Sequence, residues 1–106
     1  MIVVSVANNF TRFPSGRYKR NGETSGEGFR EKFLEGPLQR GEHITVDLDG
    51  TVGYGSSFLE EAFGGVVRSL RLKADSVLSL LTIKSTDPEL VNEVRQYIFE
   101  ASEKLS

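Results

Sequence analysis

The feature that most constrains this chain is the segment of residues 44–72, where strand, turn and helix patterns follow one another without a gap. Apolar residues first alternate with polar ones, a period of two that predicts a strand with one buried face, at Ile44, Val46 and Leu48. Three glycines then interrupt the chain at positions 50, 53 and 55. From Ser57 onward apolar residues recur at helical spacing, at Leu59, Ala62, Phe63, Val66, Val67 and Leu70. This order predicts a strand, a glycine-rich loop and a helix. In an α/β sheet, such a loop lies at the carboxyl end of the strand, where ligands and partners bind.

Composition limits the remaining possibilities. A chain of 106 residues with 38% hydrophobic and 26% charged residues predicts one domain, residues 1–106, with one core. A net charge of −2 gives no overall attraction to nucleic acid or to anionic membranes. The sequence has no cysteine and no apolar run near the roughly 20 residues that span a bilayer. With no basic leader before the first apolar segment, we expect a cytoplasmic protein.

The flanking segments predict the other elements. Strands are expected at residues 2–6, at 17–20 as a hairpin partner of the first strand, and at 77–83. A capping box at Thr24 and Glu27 predicts a helix that begins near residue 25 and ends at Gly36 and Pro37. Asp87 and Pro88 predict the start of a last helix. The expected fold is therefore α/β, with a small mixed sheet of about four strands and three helices in the order β-β-α-β-α-β-α.

Several side chains are candidates for function. Four cations without an intervening acid, Arg12, Arg17, Lys19 and Arg20, form either an anion or nucleic-acid patch or, as we favour, the charged guard of an exposed edge strand. His43 is the sole histidine, and we expect a surface or hydrogen-bonded role and no bound metal. Tyr54 lies between glycines and is expected to be exposed.

Two family resemblances give different functions to the central segment. The run Asp47-Leu48-Asp49-Gly50-Thr51-Val52 resembles the opening motif of haloacid-dehalogenase-like phosphohydrolases. That resemblance implies an enzyme in which Asp47 is the nucleophile, Asp49 is the general acid and base, and Mg²⁺ lies beside both. The late acidic pair and the further strands of that family are not found after the motif. We therefore keep this enzyme as the alternative, and expect no cofactor in the favoured interpretation.

The favoured resemblance covers nearly the whole chain. Leu48-Asp49-Gly50 and Gly55-Ser56-Ser57-Phe58-Leu59 match the turn and helix start of STAS domains, the fold of anti-sigma-factor antagonists. Residues 46–63, with Glu60-Glu61 after the serine pair, are similar to the bacterial STAS-like family of unknown function. The resemblance implies a non-enzymatic regulatory domain whose partner is a kinase of the histidine-kinase ATPase type or an anti-sigma-like regulator. We expect a monomer or weak dimer.

The same resemblance points to the site. The serine that a partner kinase phosphorylates corresponds to Ser57, although Asp and Gly of the antagonists are replaced here by Gly55 and Phe58. Ser57 and Glu60 also have the spacing of a capping box, so a purely structural role for Ser57 as a helix cap is the interpretation that we favour over phosphorylation. The residues predicted to contact the partner are Tyr54, Ser56, Ser57, Phe58 and Glu61.

Overall fold

The computed structural model describes residues 2–105, which form a three-stranded sheet with helices packed on one face. The strands are β1 (Ile2–Ser5), β2 (Ile44–Asp47) and β3 (Leu81–Lys84). All neighbours are parallel, and β2 lies between β1 and β3. The α/β class is confirmed. The prediction of a mixed sheet with about four strands is wrong, because the described residues form three strands and all of them run in the same direction. The predicted number of three helices is also too low, because a further helix, Ala74–Leu80, precedes β3.

The two longest connections each contain a helix with a π-helical turn in its middle. Helix α1 consists of Gly26–Phe29, the π turn Arg30–Leu34 and Glu35–Gln39. Helix α2 consists of Ser56–Leu59, the π turn Glu60–Gly64 and Gly65–Leu70. Helix α3 (Ala74–Leu80) and helix α4 (Pro88–Glu103) flank β3. Two short elements complete the chain, a π turn at Val6–Phe10 and a 3-10 turn at Lys19–Asn21.

The predicted strand at residues 17–20 is absent because its backbone serves the start of α1. The carbonyl groups of Arg17 and of Gly16, just before it, accept hydrogen bonds of 3.0 Å from the amides of Glu27 and Gly26. The first amides of a helix have no partner within the helix, so these bonds satisfy two of them. Ser25, and not Thr24, provides the side-chain cap, with its hydroxyl accepting from the Gly28 amide.

Two predicted boundaries are also wrong. Helix α1 continues past Gly36 to Gln39, with Pro37 in the turn that follows its π-helical segment. Residues 77–80 of the predicted strand belong to α3, and only residues 81–84 form β3. The start of the last helix is confirmed, since the Asp87 carboxylate accepts from the amides of Glu89 and Leu90 and Pro88 follows it.

One face of the sheet carries the core. Val4, Val46 and Leu81 are buried there against apolar side chains from all four helices. The aromatic residues Phe10, Phe29, Phe33, Phe58 and Phe63 form a cluster within this layer, with ring centroids 5.2–6.4 Å apart.

The opposite face of the sheet, which we call the outer face, has no helix on it. It presents two rows of aligned residues, Val3, Thr45 and Thr82, then Ser5, Asp47 and Lys84. Val3 is 65% exposed, and Thr82 and Lys84 are also exposed. Alternation of side chains along a strand explains the separation, because each inward residue is followed by one that faces out. Within residues 2–105, no helix is long and apolar enough to span a membrane.

Candidate functional site

The candidate site lies at the carboxyl ends of β2 and β3, as the sequence predicts. There the loop of residues 48–55 leaves β2, and the turn of residues 85–87 leads from β3 into α4. Between them is an open depression of about 550 Å³. Its walls include Asp49, Thr51, Val52, Tyr54, Thr86 and Leu90. The parallel sheet brings these two loops together because strands of the same direction end at the same edge.

The two aspartates of this edge hold the backbone in place. The Asp49 carboxylate accepts hydrogen bonds from the Ser85 hydroxyl (3.1 Å), the Thr86 amide (3.0 Å) and the Thr86 hydroxyl (3.2 Å). These donors, with the Thr86 amide first, hold the pKa of Asp49 below its ordinary value. Asp47 accepts from the amide of Asp49 at 3.0 Å. Both carboxylates therefore contribute to the shape of the loop, and Asp49 connects it to the start of α4.

Tyr54 fixes the other side of the loop. It is half-buried, which corrects the expectation of a fully exposed ring. Its hydroxyl donates to the carbonyl of Leu48 at 2.7 Å, and its ring lies 5.8 Å from the ring of Phe58. Burial raises the pKa of Tyr54 to about 12, so the hydroxyl stays protonated and remains a donor at neutral pH. Tyr54 thus holds the glycine-rich loop against the core while one part of its ring stays accessible.

The serine pair is exposed at the start of α2, and the helix does not use Ser57 as a cap. Gly55 is the N-cap residue, with extended backbone, and no side chain accepts a hydrogen bond from the first turn. The predicted capping box at Ser57 and Glu60 is therefore wrong, because Ser57 is already inside the helix. Within residues 2–105 the Ser57 hydroxyl has no hydrogen-bond partner, and both Ser56 and Ser57 are exposed.

Two of the predicted contact residues are buried. Phe58 is fully buried and contacts the rings of Phe10, Phe29 and Tyr54, so its role is in the core. Glu61 is 7% exposed, and its carboxylate accepts from Arg30 at 2.6 Å and from Arg17 at 3.2 Å. The ring of Phe58 is therefore not available to a partner, which corrects that prediction. The partner contact of Glu61, which lines an open depression with Arg17 and Tyr97, stays a prediction. The helix period turns Phe58 inward when its neighbour Ser57 faces out. Glu61 lies one turn after Ser57 on the same side of the helix, and Arg30 and Arg17 cover its carboxylate.

The basic segment before α1 has a different role from that of an edge strand. Arg17 forms ion pairs with Glu60 and Glu61, which raise the pKa of Arg17. Lys19 pairs with Glu31 at 2.6 Å, which raises the pKa of Lys19. The guanidinium of Arg20 lies over the Tyr18 ring at 5.0 Å.

Arg12 is the remaining cation of that basic segment. It is exposed and has no ion-pair partner within the described part of the chain. Its backbone carbonyl accepts from the Val52 amide at 2.9 Å, which joins this segment to the glycine-rich loop.

That bond brings together two exposed apolar residues that the sequence interpretation overlooked. Phe13 is 63% exposed and Val52 is 69% exposed. The sequence does contain a signal for this exposure. Phe13 precedes the turn-forming Pro14, Val52 precedes the turn-forming Gly53, and both lie outside any periodic pattern of apolar residues. Exposed large apolar residues on two loops that a backbone hydrogen bond joins are a candidate interaction surface.

The remaining candidate is His43, which lies just before β2 and is exposed. Among residues 2–105, no group of three or more His, Cys, Asp or Glu side chains is placed to hold a metal ion.

The parallel sheet and the helices on one of its faces define a small α/β domain. Residues 25–90 match the family model described as a STAS-like domain of unknown function (DUF4325). The match covers more than half of the chain, and the chain belongs to this family. The predicted family is thus confirmed. Comparison with curated proteins and with solved structures gave no significant match.

Proposed function

We propose that this chain is a non-enzymatic regulatory domain that binds a protein partner through the glycine-rich loop and the start of α2. The observation that carries the proposal is the exposure of Ser56 and Ser57 in the first turn of α2, directly after a loop held by Asp49 and Tyr54. Because the backbone is already held, a partner loses little free energy in ordering it. The resemblance to anti-sigma-factor antagonists supports a partner of the histidine-kinase ATPase type.

In this proposal Ser57 is the phosphorylated residue that switches binding. Its hydroxyl is exposed and is not required as a helix cap. The neighbouring residues leave it accessible, since Gly55 has no side chain and the ring of Phe58 is buried. A phosphate there adds nearly two negative charges at the amino end of α2, where the helix dipole favours them. The same charge changes the surface that the partner meets.

The phosphorylation part is tested by intact mass after incubation with ATP and a lysate of the host cells. We expect a phosphate-sized gain in the parent and in Ser56→Ala, and no gain in Ser57→Ala. Ser56→Ala is the matched control, since both serines are exposed in the same turn of the helix. A gain that persists in Ser57→Ala contradicts the assignment of the switch to Ser57.

The binding part is tested separately by crosslinking the chain to proteins of the same lysate. A bulky Ser57→Trp substitution should abolish the specific crosslink, because it fills the proposed contact area. Thr82→Trp is the control, since Thr82 is exposed on the outer face of the sheet. The proposed surface is excluded if both variants lose the crosslink to the same extent, or if both variants keep it.

Neither Asp47 nor Asp49 acts as a nucleophile in this proposal. We expect no Mg²⁺-dependent hydrolysis of a generic aryl phosphate by the parent chain. Turnover that Asp47→Asn abolishes would instead support the phosphohydrolase alternative.

A further inference from the structure

The two exposed apolar side chains and the free cation beside them form a separate feature of the proposed surface. We call Arg12, Phe13 and Val52 the apolar-cationic patch. Phe13 and Val52 are the most exposed large apolar residues on the loops of this edge of the molecule. The hydrogen bond from the Val52 amide to the Arg12 carbonyl holds the two loops side by side.

The patch is preformed on both sides. On the first loop, the Phe13 amide donates to the Thr11 hydroxyl at 3.0 Å, and Pro14, which follows, is buried. Farther along, the Ser15 amide donates to the carbonyl of Thr24 at 3.1 Å. On the second loop, Tyr54 anchors the chain two residues after Val52. Exposed apolar groups on an ordered backbone favour binding, because little conformational entropy remains to be lost.

The charge of the apolar-cationic patch indicates which kind of partner segment it can bind. Arg12 has no ion-pair partner within residues 2–105, and residues 2–22 contain no acidic residue. In the loop of residues 48–55 the one charged side chain is Asp49, whose carboxylate accepts hydrogen bonds from Ser85 and Thr86. The patch is therefore positive in a chain whose net charge is −2. Arginine and aromatic residues are also the types enriched at the energetic centres of protein interfaces.

A protein segment fits these observations better than a nucleic acid does. Binding of single strands depends on a track of several unneutralised cations beside the stacking rings. Here Arg17 and Lys19 are neutralised by glutamates of α1 and α2, and Arg20 lies over Tyr18. One free arginine next to two apolar side chains instead matches a short segment with one acidic and one large apolar residue.

We infer that the apolar-cationic patch binds a segment of the partner protein in which an Asp or Glu lies next to a large apolar side chain. The apolar side chain packs between Phe13 and Val52, and the carboxylate pairs with Arg12. This inference rests on the proposed function and adds the chemistry of the partner to it.

Selection of displayed random peptides on the immobilised full chain tests the inference. We expect enriched peptides that carry Asp or Glu beside Phe, Leu, Ile or Trp. Affinity of a synthetic copy should fall about ten-fold or more in the double variant Phe13→Ser and Val52→Ser, the size expected when interface anchors are removed. Phe99→Ser is the control, since Phe99 is an exposed aromatic residue on α4 that is 41% exposed.

Charge reversal at Arg12 tests the acidic residue of the partner segment separately from the proposed binding function. Arg12→Glu should weaken the acidic peptide about ten-fold and favour its Lys-substituted copy, whereas Arg95→Glu, beside Phe99 on α4, should change neither. If binding depends on Phe13 and Val52 but is unchanged in Arg12→Glu, the acidic residue of the partner segment is excluded. That result would not contradict the proposed function. The inference is also overturned if no peptide depends on the patch, if oligo-dT competes for it, or if the variants change only self-association in sedimentation.

Discussion

Adjacent residues in this chain have opposite roles, as Ser57 and Phe58 show. Ser57 is exposed with a free hydroxyl among the described residues, while Phe58 is fully buried in the aromatic cluster. The motif resemblance covers both residues and does not distinguish them. The helix period does distinguish them, because apolar residues at positions 58, 59, 62 and 63 define the inward face of α2.

The variant Phe58→Ala should therefore reduce stability and not act on binding directly. We expect the free energy of unfolding to fall by about 3–5 kcal/mol, as for other buried aromatic residues truncated to alanine. Chemical denaturation followed by circular dichroism measures the change. Val52→Ala is the control, and should stay within about 0.5 kcal/mol because its side chain is exposed. A small effect of Phe58→Ala would contradict its place in the core.

Asp49 is predicted to hold the loop after β2 to the start of α4. Asp49→Ala removes the acceptor for the Thr86 amide, so this amide should exchange with solvent faster than in the parent. Because the folded-state pKa of Asp49 lies below its ordinary value of 3.8, the hydrogen bonds persist above that pH. They are lost as the pH falls through the folded-state pKa. Unchanged exchange at Thr86 in the variant, measured by NMR, would contradict this role.

At the level of elements, α1 and α2 approach closely at Gly26. A Cβ atom at this residue would lie 2.4 Å from the carbonyl oxygen of Phe58 and 3.1 Å from the Ala62 amide, and both are backbone atoms. We predict that Gly26→Ala destabilises the fold by about 1–3 kcal/mol, because the helices must move apart.

Gly36→Ala, in the same helix, is the matched control for Gly26→Ala. Its Cβ would meet only the flexible end of Arg40, at 3.1 Å. It should leave the midpoint of thermal unfolding unchanged or raise it, since alanine favours helix. Equal midpoints of thermal unfolding for both variants would show that the close approach of α1 and α2 does not exclude a side chain at residue 26.

An ion-pair network connects the segment before α1 to α2. Glu60 pairs with Arg68 at 2.6 Å and also with Arg17, and these donors lower the pKa of Glu60. A lowered folded-state pKa means that the network stabilises the fold at pH values above the ordinary value of 4.5. That contribution is lost as the pH falls through the folded-state pKa.

Glu60→Gln should therefore lower the free energy of unfolding near pH 7 by about 1 kcal/mol or less, since solvent screens the pairs. The difference between variant and parent should vanish at pH values below the folded-state pKa of Glu60. Urea denaturation at several pH values measures it, with Glu89→Gln as the control on the exposed first turn of α4. A pH-independent difference would exclude the ion pairs as its cause.

The sequence predicted the central strand, the loop and α2 because their patterns are long and have different periods. It failed at residues 77–80, where a short apolar run fits a strand or a helix equally well. Val77 is buried while Ser76 and Ser79 are exposed, a helical spacing too short to be recognised alone.

The misassigned segment at residues 17–20 has another cause. Its backbone is used by α1 through Gly26 and Glu27, a tertiary contact that local propensity does not encode. The exposed pair Phe13 and Val52 was missed for the same reason, since the loops that carry them meet only in the folded chain.

For the molecule as a whole, the position of β2 between two strands should decide the order of local opening. Consecutive amides of β2 are paired with one neighbour or the other, while β1 and β3 are edge strands. We predict slow hydrogen exchange at Thr45, Val46 and Asp47 in succession, and alternating fast and slow exchange along β3. NMR exchange rates at neutral pH test this order. Uniformly slow exchange along β3 would indicate that its free edge is covered in solution.

The uncovered outer face also makes the chain convenient to observe. The sequence contains no cysteine, and Thr82 is exposed on that face, away from the core and from the loops at the edge of the sheet. A Thr82→Cys substitution thus creates a unique thiol for a fluorescent or spin label. A reporter attached there follows a partner's arrival by anisotropy or distance while the docking loops keep their natural residues.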